Sequence, residues 1–346
     1  MASCNEDGCS VLTSGKCVNG LDLDICPHYA VTDDFGLTND QEDEDSDNNS
    51  DDVLKTKNSN NVVDTHSGKA LSLLEADRIS RSALTRIVIL AGMPEAGKTT
   101  LLMSLMHLFA TNSSYCDYIF AGSKTLLDFE EKSHGSKIDS EADKASTIRT
   151  TLGPPTFLHL KVAKENTENS EVDMLFTDIS GEAFRMLKDS AEECRKFTLG
   201  LRADHFTLFF DTEMITSTAE RAKSKVAGLG ILKSLIDTET LLPSTHIQIV
   251  FSRWDLFTSE GNKDNHEKYI DQLRQDILGK YGDKFQIEFF EVSCRPDNDE
   301  IAFGYGLNNI FPLWAGKSAL PVNTNISEQN FDQETERQFM KFNFNK

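Results

Sequence analysis

The run RIVILAGMPEAGKTT, Arg86 to Thr100, constrains the chain more than any other stretch. RIVILA is a short block of β-branched and apolar residues and predicts a buried strand. The segment behind it fits G-x-x-x-x-G-K-[ST], with Gly92 and Gly97 at the glycine positions. KTTLLMSLMHLFA then predicts a helix with Leu101, Leu105 and Leu108 on one face. A strand that turns into a helix through such a loop binds phosphate by geometry and charge together. The glycines let successive backbone N–H groups point inward, and the helix adds the positive end of its dipole. Lys98 is expected to reach the terminal phosphates and Thr99 to ligate Mg²⁺, while Glu95, Ala96 and Thr100 complete the nucleotide-binding loop.

The surrounding pattern predicts the fold. SLLEADRIS carries a capping box, Ser72 with Glu75, and reads as a helix. TFLHLKVA and VDMLFTDI read as strands of a hairpin around the polar loop KENTENSE. DHFTLFFD, HIQIVFS and FQIEFFEVS read as further strands. EAFRMLKDSAEECRKF, STAERAKSKVAGLGILKSLID, NHEKYIDQLRQDILGKYG and YGLNNIFPLWA read as the helices between and after them. Alternation of this kind predicts an α/β domain, a doubly wound, mainly parallel sheet with helices on both faces, over 68–316. The hairpin would supply one antiparallel edge strand.

Composition divides the rest. Residues 1–29 hold four of the seven cysteines. Residues 30–67 are acidic and poor in apolar side chains, and are expected to form a disordered linker, because they cannot bury enough surface to offset their ordering entropy. Residues 317–346 form a polar tail in which EQNFDQETERQFMKF admits a short helix. The chain holds 35 Lys and Arg against 56 Asp and Glu, a net charge of −21. Such a field repels phosphate backbones and anionic bilayers, so no nucleic-acid partner is expected. No apolar run reaches the roughly 20 residues of a spanning helix, so no membrane insertion is expected either. The amino terminus lacks the basic and apolar regions of a signal peptide, and a cytoplasmic location is expected.

Three further motifs follow the phosphate loop in order. LFTDISGE gives D-x-x-G, with Asp178 ending a strand and Gly181 three residues on. In a phosphate site that aspartate holds Mg²⁺ through water and the glycine N–H meets the γ-phosphate. FSRWD ends a later strand with Ser252, Arg253 and Asp255, and EVSCRPD ends the next with Ser293, Cys294 and Arg295. The order phosphate loop, D-x-x-G, [NTS]-[KR]-x-D, S-[AC]-[KR] resembles the Ras-like P-loop GTPase domain of the translation-factor-related (TRAFAC) class over about Arg86 to Gly316. AGSKTLLDFEE, FTDISGE and FSRWD resemble more closely the bacterial double-GTPase group of conflict and defence operons.

The resemblance implies GTP and GDP as ligands, hydrolysis as the activity, and a protein partner. Asp255 would accept hydrogen bonds from the guanine N1–H and 2-amino group. Arg253 would lie along the base plane where the family has Lys, and Ser293 and Cys294 would offer a backbone N–H to guanine O6. The usual Asn is here Ser252 and the usual Lys is Arg253, two departures that bear on base selectivity. In the switch ahead of TFLHL, TLG resembles the family's T-x-G and points to Thr151 as the Mg²⁺ ligand, with Thr150 beside it. Arg149 could act as an arginine finger in cis or be a solvated loop residue. Glu182 stands where many relatives carry a water-orienting Gln; it could orient water or cap the following helix. An ATP-using protein and a scaffold that holds nucleotide without turnover remain open as alternatives. Near the amino terminus, Cys4, Cys9, Cys17 and Cys26 could form a tetrahedral thiolate Zn²⁺ site, with His28 as an alternate ligand, or be free thiols in a flexible tail.

Overall fold

In the computed structural model the structure describes residues 2–4, 29–31, 66–134, 150, 152–259, 263–296 and 300–316. The chain divides into two compact units, 1–62 and 63–346. In the first, β1 (Ala2–Cys4) pairs antiparallel with β2 (Tyr29–Val31), so that Cys4 lies opposite Tyr29. Cys9, Cys17, Cys26, the acidic stretch up to residue 65 and the tail from 317 lie outside the described residues.

The second unit is a seven-stranded sheet flanked by helices. In chain order it runs α1 (Leu73–Ser82), β3 (Thr85–Gly92), α2 (Lys98–Thr111), β4 (Tyr118–Gly122), α3 (Leu126–Ser133), β5 (Thr156–Lys164) and β6 (Glu171–Asp178). It continues with α4 (Gly181–Asp189), α5 (Ala191–Lys196), a 3₁₀ turn (Thr198–Arg202), β7 (His205–Asp211), α6 (Thr212–Thr216) and α7 (Arg221–Asp237). β8 (His246–Ser252), α8 (Trp254–Ser259), α9 (Lys263–Tyr281), β9 (Ile287–Val292) and α10 (Leu307–Ala315) complete it. The strand order is β4-β5-β6-β3-β7-β8-β9. β6, β3, β7, β8 and β9 are parallel. β5 runs antiparallel to β6, as the polar hairpin loop requires, and β4 pairs antiparallel on its far side and forms the edge.

Alternation along the strands builds two cores. Val88 and Leu90 of β3 face α2 and α10, where Leu101, Leu105, Phe109, Phe311 and Trp314 are buried. Ile89 and Ala91 face the other way, toward Phe184 of α4, Ile231 and Leu235 of α7 and Ile277 of α9. A strand buried on both faces reads as a continuous apolar run, which is why RIVILA shows no polar alternation. α1 begins at the expected cap: the Ser72 side chain accepts from the Glu75 N–H, and Glu75 accepts from the Ser72 N–H at 2.7 Å. The helix expected over EAFRMLKDSAEECRKF is two. Ser190, at φ −139° and ψ 114°, ends α4 and caps α5, its Oγ accepting from the Glu193 N–H at 3.3 Å. A serine competes for backbone bonds and so breaks a helix that apolar spacing alone would continue.

Candidate functional site

The five parallel strands all end on one side of the sheet, and the loops there enclose a cavity of about 530 Å³. Its wall includes the loop residues Glu95 to Thr100, Thr150, Gly181 and Glu182, Ser252, Arg253, Asp255 and Leu256, and Val292 to Arg295. Four motifs separated by up to two hundred residues of chain therefore share one crevice, at the carboxyl end of a doubly wound sheet where ligands of such folds bind.

The phosphate loop leaves β3 and enters α2 through Gly97, at φ 88°, with Glu95 also at positive φ, 66°. Lys98 Nζ donates to the Gly92 carbonyl at 3.1 Å and to the Met93 carbonyl at 3.2 Å, which lays the ammonium across the mouth of the loop. The D-x-x-G glycine is pressed against this loop. A Cβ on Gly181 would stand 2.2 Å from Pro94 N and 2.6 Å from Met93 C, so any side chain there would displace one backbone from the other. Gly181 also starts α4, whose cap hydrogen bond comes from Ser180, its Oγ accepting from the Ala183 N–H at 3.2 Å. Glu182 is in the first turn, where the helix dipole favours an acid, and lines the cavity; the capping bond itself belongs to Ser180.

Beside the loop, Thr150 Oγ1 donates to Asp178 Oδ1 at 2.7 Å and lies 3.4 Å from Thr99 Oγ1. A hydroxyl has one proton and the carboxylate only accepts, so Thr99 is the donor to Thr150. Thr150 lines the cavity; Thr151, the expected Mg²⁺ ligand, and Arg149 lie outside the described residues. The other Asp178 oxygen meets Lys132 Nζ from α3 at 3.1 Å, and the same ammonium pairs with Asp128. Burial works against the Lys132 charge, but Asp178 and Asp128 outweigh it and its pKa is raised. Thr99, Thr150 and Asp178 form an all-oxygen set, the hard donors that fit Mg²⁺. Among the described residues no three His, Cys, Asp or Glu side chains gather as a metal cluster; of the proposed zinc ligands only the Cys4 backbone is described.

At the opposite end of the cavity Asp255 is 3 % exposed and accepts a hydrogen bond from Ser293 Oγ. Arg253, at φ 54°, spans three elements: it pairs with Glu213, approaches Asp211 Oδ2 at 3.4 Å, and donates to the Glu95 carbonyl at 3.3 Å. That last bond ties the end of β8 to the loop between β3 and α2. Burial raises the Asp211 pKa, with Arg253 acting against it. Ser252 Oγ points into the sheet, donating to the Phe210 carbonyl at 3.3 Å. Burial pushes the Cys294 thiol up to about 12, so it lines the cavity as a neutral group. Glu213 and Asp211 were not legible as site residues, because they follow a strand with no motif of their own.

A family model described as Double-GTPase 2 matches residues 86–315. No curated protein matches the chain. Among solved structures the chain is similar to the signal recognition particle receptor SRb-GTP/SRX complex from Chaetomium thermophilum, at 13 % identity over 67 % of this chain and 98 % of that one, with a TM-score of 0.38. It is also similar to Methanosarcina barkeri Roco2 RocCORdC bound to GDP, at 17 % identity over 67 % of this chain and 49 % of that one, with a TM-score of 0.33.

Proposed function

The chain belongs to the Double-GTPase 2 family, as a Ras-like P-loop GTPase domain, and from that premise we propose that it binds Mg²⁺ with GTP, hydrolyses GTP to GDP and phosphate, and acts as a switch on a protein partner. The observation that carries the reading is the single cavity shared by the phosphate loop, D-x-x-G, Asp255 and the Ser293 segment. Lys98 exchanges the Gly92 and Met93 carbonyls for phosphate oxygens. Thr99, Thr150 and Asp178 would hold Mg²⁺, Asp178 through water, and the ion would supply positive charge to the phosphates. The Gly181 N–H, at the amino end of α4, faces the γ-phosphate. Asp255 reads the two guanine donors. Adenine lacks that pair and would leave a buried carboxylate without partners, the costly mismatch that gives selectivity.

Glu182 in the cavity wall sets the rate. A carboxylate near the γ-phosphate orients water less well than a neutral amide, so turnover of the isolated chain is expected in or below the slow range of roughly 10⁻⁴ to 10⁻³ per second. The same carboxylate favours the second reading, a scaffold that holds nucleotide without turnover. Titrating labelled GTP and ATP into the full chain tests the base, and single-turnover hydrolysis tests the chemistry. Lys98→Ala is expected to weaken GTP binding by at least about 100-fold, the loss of charge-assisted bonds worth roughly 3 kcal/mol. ATP bound more tightly than GTP, or full GTP affinity in Lys98→Ala, would refute the proposal.

A further inference from the structure

Both oxygens of Asp178 are engaged, one by a hydroxyl and the other by an ammonium. Lys132 reaches it from α3, and the two side chains are 15 % and 9 % exposed, so solvent and salt screen the pair little. Lys132 is not on the cavity wall, whereas Thr99 and Thr150 are. Asp178 is not on the wall either and is joined to it through Thr150, so the lysine acts on the site through that carboxylate.

The helix that carries Lys132 is anchored. Phe129 is buried, the Asp128 N–H donates to the Gly68 carbonyl at 3.0 Å, and Lys69 pairs with Glu131. Just ahead of α3 the Lys124 N–H donates to His159 Nδ1 at 2.9 Å, which leaves the ring proton on Nε2, 2.7 Å from Asp173 Oδ1. Thr125 Oγ1 accepts from the His159 N–H at 2.9 Å. Lys132 is thus a cation delivered to Asp178 by a helix fastened to β5, rather than a loose surface lysine.

We propose that Lys132 is a positioning residue that competes with Mg²⁺ for Asp178 and so sets the metal concentration at which nucleotide is held; this rests on the reading of Asp178 as the magnesium-facing carboxylate. A carboxylate already paired with an ammonium attracts a second cation less. By linkage, an ion that draws Asp178 away also weakens the hold on Lys132 and loosens α3.

The test uses the full chain, a fluorescent N-methylanthraniloyl GDP and a Mg²⁺ titration. Lys132→Gln is expected to lower the half-saturating Mg²⁺ concentration by about tenfold, roughly 1.4 kcal/mol, and Lys132→Arg to keep it near that of the unaltered chain. On the unaltered chain, α3 amides are expected to lose hydrogen-exchange protection when Mg²⁺ joins GDP, and not with GDP and a chelator. An unchanged or higher half-saturating Mg²⁺ in a folded Lys132→Gln overturns the inference; if that variant does not fold, unchanged α3 protection on adding Mg²⁺ overturns it. Asp178→Asn separates the two levels. If it raises the Mg²⁺ requirement while Lys132→Gln does nothing, only the inference falls. If neither moves it, the reading of Asp178 falls with it.

Discussion

Asp255 and Asp178 are both carboxylates withdrawn from solvent at or just beyond the ends of sheet strands, yet they are held by different chemistry. Asp255 receives a neutral hydroxyl from Ser293, and Asp178 receives an ammonium from Lys132 as well as a hydroxyl from Thr150. A neutral donor aligns a carboxylate and leaves its charge for the ligand. A cation aligns it and offsets the charge. Under the proposed reading, the Ser293 bond aligns the base-side carboxylate without a charge, while at the metal side Lys132 would compete with the ion.

The largest break in that comparison is Asp255→Asn. Two charge-assisted bonds to guanine are lost, at about 1.5–3 kcal/mol each, so GDP affinity should fall by at least about 100-fold. Xanthosine diphosphate should gain, because the amide offers a donor to its 2-carbonyl; calorimetry with both nucleotides measures the swap. A variant that still prefers GDP would remove Asp255 from the base site. Ser293→Ala is smaller. It takes one bond from Asp255, and about tenfold weaker GDP binding is expected, with the Mg²⁺ requirement unmoved. A shift in Mg²⁺ dependence there would mean that the two ends are coupled, through Arg253 and the Glu95 carbonyl in the first instance.

The amino ends of β7 and β8 supply a control with no ligand. His205 Nδ1 accepts from Gln248 Nε2 at 2.9 Å, Thr207 donates to Gln248 at 3.2 Å, and the buried Nε2 has no partner in the described structure. Burial, with His246 and Arg86 nearby, lowers the His205 pKa from 6.5 to about 3. The unfolded chain binds a proton below 6.5 that the fold refuses. The stability this neutral histidine confers is therefore full above pH 6.5 and is lost as pH falls toward about 3, at roughly 1.4 kcal/mol per pH unit. His205→Gln should flatten that part of the denaturation profile and leave GDP affinity at neutral pH unchanged. An identical acid slope in the variant would place the titrating group elsewhere.

How much of this could be read from sequence depended on how local each feature is. The phosphate loop, D-x-x-G, SRWD and SCRP each lie within a few residues of a strand end, so strand and motif reinforce each other. Thr150 and Thr151 are adjacent identical residues in a loop, where no periodicity in the sequence tells them apart. Lys132 sits in LLDFEEKS, an ordinary charged helix by composition, and meets Asp178 only because the sheet brings together groups 46 residues apart. β4, YIFAG, is too short and too uniform to stand out as a strand before its partner β5 is known.

The two serines that bound α4 make it a lever. Its nine residues span about 12 Å between the first and last Cα, at about 1.5 Å per residue. The far end is seated on α7, where Ser234 Oγ donates to the Lys188 carbonyl at 3.0 Å and a Cβ on Gly230 would meet Lys188 Cγ at 2.7 Å. With that end as fulcrum, a rotation of about ten degrees carries Gly181 by about 2 Å, using the same helical rise. Because Ser190 breaks the backbone ladder there, α5 need not follow the swing. Any displacement felt at the γ-phosphate would reach the molecular surface as a tilt of one short rod.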